Sequence, residues 1–66
     1  MEMKDIGKRI HRKRIEKGWC QEELAEKVDL SASYIGMIER GKKVPRLETF
    51  VEIANVLEVR VYETDW

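Results

Sequence analysis

The sequence predicts an all-α fold, a compact bundle of four to five helices. Three observations carry this. Apolar residues recur at i, i+3 and i+4 along nearly the whole chain. Residues that start or stop helices, Gly18, Ser31 and Gly41, cut that pattern into helix-sized pieces. Only one proline and four glycines occur in 66 residues. With 42% hydrophobic and 39% charged residues, the chain is too apolar for a disordered tail. It is also short, so only about 60% of its unfolded surface is buried on folding. One domain spanning residues 1–66 is expected.

The first helix is expected from Lys4 to Lys17, where Ile6, Ile10 and Arg14 follow at i+4, and Gly18 ends it. Gln21 to Val28 forms a second, short helix. Glu22 and Glu23 in its first turn suit the helix dipole, and Leu24, Ala25 and Val28 share one face. Ser31 caps a third helix that runs through Ile35 and Ile38 to Arg40 and closes at Gly41. Lys42 to Arg46 is a basic loop with the only proline. A fourth helix covers Leu47 to Leu57, with Leu47, Phe50, Ile53, Ala54 and Leu57 facing inward. In the tail, Val59 and Val61 alternate with polar residues as in a strand, which would need a partner chain; folding back as a fifth helix is the alternative.

Composition excludes several classes. No stretch approaches the roughly 18 apolar residues of a membrane span, and the N-terminus opens no apolar run like that of a signal peptide. The single cysteine, Cys20, has no disulfide partner and no zinc spacing, so a reduced, cytoplasmic domain without metal or cofactor is expected. One His, one Cys and no Gly-rich phosphate loop leave no nucleophile–base pair, so no catalytic residue is nominated. His11 reads as a surface residue on the basic first helix.

The net charge of zero hides a segregation. Residues 1–20 hold seven bases and three acids, residues 21–39 one base and five acids. Four bases and no acid lie between Arg40 and Arg46; five acids and one base follow. One basic and one acidic face can result.

Residues 21–40 are two short helices joined by a tight turn. Ala25 keeps the first of them narrow where the second approaches, and Asp29 tolerates the left-handed backbone of a sharp turn. Leu24, Val28, Leu30, Ile35 and Ile38 supply a shared core. This is the pattern of a helix-turn-helix, whose second helix enters the DNA major groove.

From Ile6 to about Val59 the chain resembles the Cro/C1-type (XRE) helix-turn-helix family, a lambda-repressor-like fold of phage repressors and small bacterial regulators. The matching stretches are Ile6-Gly7-Lys8-Arg9-Ile10, Gln21 through Val28, Ser33-Tyr34-Ile35, Ile38-Glu39-Arg40-Gly41-Lys42, Pro45 and Leu47-Glu48-Thr49. The resemblance implies sequence-specific binding of double-stranded DNA at a near-palindromic operator, by a homodimeric transcriptional repressor or controller whose recognition helix is about 32–40. It implies that Gln21 touches the phosphate backbone with its side chain and helix-terminal N–H groups, and that Ala32, Ser33 and Met37 face the bases. Tyr34, Arg40, Lys42, Lys43 and Arg46 would hold phosphates. Arg14 and Glu39 would form an internal ion pair, which the residues support independently, since a cation on the Ile6/Ile10 face needs a partner.

Four positions depart from the family pattern. Cys20 and Arg46 stand where helix-capping residues are usual, Asp29 replaces a turn glycine, and Gly36 lies inside the recognition helix. Ala32 and Met37 also make no bidentate hydrogen bonds to bases, leaving methyl contacts, Ser33 and DNA shape as readout. An alternative therefore stays open: a protein-interaction module on the same fold, such as an antitoxin covering a partner protein. The apolar residues Val59, Val61, Tyr62 and Trp66 in segment 59–66 are expected at a dimer interface, with Tyr62 and Trp66 near the two-fold axis.

Overall fold

The computed structural model describes the backbone of residues 3–60 and the side chains of residues 5–60. Among these residues four helices follow in order: α1 (Met3–Glu16), α2 (Gln21–Lys27), α3 (Ala32–Glu39) and α4 (Leu47–Val56). No strand occurs among the described residues.

All four helices stop by one device. The residue after each C-cap is left-handed: Gly18 (φ 76°), Asp29 (φ 58°), Gly41 (φ 76°) and Glu58 (φ 62°). The next N–H then reaches back five residues: Trp19 to Arg14 O (3.2 Å), Leu30 to Ala25 O (2.8 Å), Lys42 to Met37 O (2.8 Å) and Val59 to Ala54 O (2.9 Å). This is the Schellman motif, which satisfies carbonyls the helix end would leave bare and usually brings an apolar residue back to the core. Trp19, Leu30 and Val59 do return to it. Lys42, exposed, does not. The chain therefore leaves α3 as a solvated basic loop.

Helix starts differ more. Ser31 Oγ accepts the Tyr34 N–H at 3.1 Å, capping α3. At α2 the Cys20 thiol is a poor acceptor, and the repair comes from the other direction. The Cys20 N–H donates to Glu23 Oε1 at 3.1 Å, one half of a capping box. This backbone bond is the main reason the Glu23 carboxyl sits below its ordinary range. Arg46 gives α4 no side-chain cap.

Ile10, Leu24, Ile35, Ile38, Ile53 and Leu57 form the fully buried centre, with one or more from every helix. Trp19, Phe50 and Tyr34 close its edges. Two expectations change. Leu47 does not face inward: it is 77% exposed, because the first turn of α4 projects past the core and inward packing begins at Phe50. Val59 is half-buried on its own core, so only part of its side chain is left for an interface. Val61, Tyr62 and Trp66, and with them the strand or fifth-helix question, lie outside the described residues.

α3 packs against both α1 and α2, and the α1 crossing is set by one residue. A Cβ on buried Gly7 would stand 2.2 Å from the Ile38 carbonyl oxygen and 2.8 Å from that of Glu39. Both are backbone atoms that cannot swing aside. Gly7→Ala is therefore expected to destabilise the fold by about 3 kcal/mol or more, the upper end of overpacking costs. A urea midpoint within error of the parent would show that α1 and α3 separate freely.

Candidate nucleic-acid interface

The floor of the site is a buried carboxylate. Glu39, the last residue of α3, has a side chain only 3% exposed. Arg14 of α1 donates Nε to its Oε2 at 2.8 Å and Nη2 to its Oε1 at 3.1 Å. The third guanidinium nitrogen, Nη1, donates to the Trp19 carbonyl at 2.7 Å, fixing the α1–α2 turn. Gln21 Nε2 donates to Glu39 Oε1 at 3.1 Å, and His11 Nδ1 lies 2.9 Å from the same oxygen. Burial by itself would raise the Glu39 carboxyl. Hydrogen bonds from Arg14, His11 and Gln21, with the Arg14 charge, outweigh it and hold the group below the ordinary range.

That floor positions the surface above it. Ser33, Gly36, Met37 and Arg40 follow at i, i+3, i+4 and i+7, a stripe on α3 opposite Ile35 and Ile38. Ser33 and Arg40 are exposed and Met37 half-buried. A Cβ on Gly36 would lie 3.1 Å from Arg40 Nη1 and 3.4 Å from Gln21 Oε1, so these two side chains rest over its bare Cα. Gln21, Arg40 and the α3 stripe thus come together. Lys42, Lys43 and Arg46 are exposed on the following loop. Among the described residues no ion pair engages Arg40, Lys42, Lys43 or Arg46. Ala32 and Tyr34 differ from the rest: both are half-buried and pack against the core, so their exposed edges alone can reach outward.

His11 was not legible as part of this site. It is an exposed residue of α1, yet its ring enters the Arg14–Glu39 cluster and reaches Glu39, 28 positions away in sequence. Its position at i−3 from Arg14 was the only available signal.

Two short helices meeting at a left-handed turn, the second carrying its stripe on the face away from the core and leading into an exposed basic loop, define a helix-turn-helix protein. The helix-turn-helix family profile matches residues 10–63. The chain belongs to that family, in its Cro/C1 (XRE) branch. It is 40% identical over 58 residues to the HTH-type transcriptional regulator SinR of Bacillus subtilis, covering 86% of this chain and 52% of that one. It is 41% identical over 56 residues to the immunity repressor protein of Bacillus phage phi105, covering 85% and 39%. It is 36% identical over 63 residues to the uncharacterized HTH-type transcriptional regulator YazB of Bacillus subtilis, covering 96% and 91%. The chain thus spans about half the length of SinR and nearly all of YazB.

The buried pair makes a stability prediction. Arg14→Met alone leaves Glu39 buried without its main partner and should cost about 3–5 kcal/mol. Arg14→Met with Glu39→Leu should recover much of this, though not all, because the Trp19 carbonyl loses its donor. Because the folded carboxyl is depressed, the stability it contributes is complete above the ordinary carboxylate value of 4.5 and is lost as pH falls through the lower folded value. Chemical denaturation at neutral pH and at about pH 3 measures both effects. Equal losses for the single and double variants would show that the pair is not coupled.

Proposed function

We propose that this chain binds double-stranded DNA sequence-specifically as a small cytoplasmic transcriptional regulator, with α3 in the major groove. It binds and does not catalyse. The observation that carries this reading is the cluster of Arg40, Lys42, Lys43 and Arg46, exposed and without ion pairs among the described residues, where α3 runs out beyond the stripe that begins at Ser33. The regulator and repressor names of the matched relatives support it.

In this reading Arg40, Lys42, Lys43 and Arg46 neutralise phosphates, with Gln21 and the exposed edge of Tyr34. Ser33 and Met37 face the base edges, Ser33 through its hydroxyl and Met37 as a flexible apolar contact for a thymine methyl. Ala32 adds a second methyl contact at the start of α3. One such helix reads few base pairs. A homodimer on a near-palindromic operator, with Val61, Tyr62 and Trp66 at its interface, would place two half-sites about 34 Å apart.

Lys43→Ala should weaken binding to all duplex sequences alike and flatten the slope of log affinity against log salt by about one. A fluorescence titration over a salt series reads this directly; an unchanged slope would place Lys43 away from the backbone. Substituting Ser33 or Met37 should instead redistribute preference among operators in a binding-site selection while affinity for random duplex holds. Uniform loss on every sequence would assign these residues to positioning rather than readout.

A further inference from the structure

A cavity of about 300 Å³ opens where α1, α2 and α3 meet, lined by Lys8, His11, Gln21, Glu39 and Arg40. Its charges favour an anion. Glu39 is matched by Arg14 beneath it, which leaves the exposed cations Lys8 of α1 and Arg40 at the end of α3. α2 contributes Gln21, which is uncharged and whose Nε2 is already given to Glu39.

His11 adds a condition. Its Nδ1 lies 2.9 Å from Glu39 Oε1 and 3.1 Å from Arg14 Nη2. A carboxylate brings no proton to such a contact, so the shorter approach is favourable only when Nδ1 carries the hydrogen. Nε2 is then the ring nitrogen left for an incoming group. In the neutral ring it is a bare lone pair, which repels an oxyanion; in the imidazolium it is a donor.

We infer that this cavity seats one phosphate diester of the DNA backbone, held by Lys8, Arg40 and a protonated His11. The seat rests on the DNA-binding reading and extends it from α3 and its loop to α1. No covalent step is involved. One proton passes from solvent to His11 Nε2 as the phosphate enters, so binding should tighten with falling pH, by at most about tenfold per pH unit for a single proton. Among the described residues, the charged groups around the ring are Lys8 and Arg14 of α1, and Glu39 and Arg40 at the end of α3.

The test compares the parent with Lys8→Ala, His11→Gln and Lys43→Ala on one short duplex. Salt is varied, and pH is run from about 8 to about 6. Lys8→Ala should flatten the salt slope by about one, as a lost phosphate contact does. His11→Gln keeps a neutral donor toward Glu39 and should abolish the pH-dependent tightening with melting temperature held. In the parent, inorganic phosphate and duplex should each shift the His11 ring resonances in a saturable way. If phosphate moves them and duplex does not, the seat takes a free phosphate and the DNA assignment is overturned. An unchanged Lys8→Ala slope with an unchanged His11→Gln pH profile, while Lys43→Ala behaves as expected, sinks the seat alone. Absence of parent binding to any duplex at low salt sinks the DNA-binding reading as well.

Discussion

The Glu39 carboxylate is the constraint on which the arrangement depends. An ion this deeply buried is costly unless its lone pairs are filled. Here they are filled from two other helices: Arg14 and His11 of α1, and Gln21 of α2. One acidic group therefore fixes how three helices meet, in a chain whose thin core offers few other means. The filling also orders function. Gln21 is held at the surface by Glu39, and Arg14 holds the Trp19 carbonyl that sets the entry to α2. The ion pair is better understood as a registering device than as a source of net stability.

The repeated C-terminal motif has a similar double effect. Three helices end by turning an apolar residue inward, which closes the core around Trp19, Leu30 and Val59. α3 ends with the same hydrogen bonds but with Lys42 in that place. The loop returns to the protein only at the buried Pro45, so Lys42, Lys43 and Arg46 stay in solvent past the end of the α3 stripe. A single departure from a repeated local rule thus produces the basic edge.

Most of this fold was legible in the sequence, because much of it is local. Gly18, Asp29 and Gly41 announce their turns, and Ser31 its cap. Glu58 announces nothing, since a glutamate in a left-handed position carries no sequence signal of its own. Leu47 was misread because helical period assigns a face without knowing where the neighbouring helices stop. Gly7 was quoted as part of a motif, but its role depends on the carbonyls of Ile38 and Glu39, more than thirty residues away. The site divides along the same line. Arg14 on an apolar face demanded a partner, whereas His11 joins the cluster through a tertiary contact that no spacing rule contains.

Gly36 shows how a local penalty is explained by such a contact. Glycine inside a helix costs up to about 1 kcal/mol relative to alanine, and α3 is only eight residues long. Its surroundings give the reason. The Arg40 guanidinium and the Gln21 amide lie where a Cβ and its contact shell would be. A methyl there would displace the charged end of Arg40 by a few tenths of an ångström, and with it the group that shares a cavity wall with Gln21 and His11. Recognition of a phosphate depends on such placement more than on the net charge, which for this chain is zero. The missing side chain thus concentrates donors at one point on a molecule with no overall attraction for an anion.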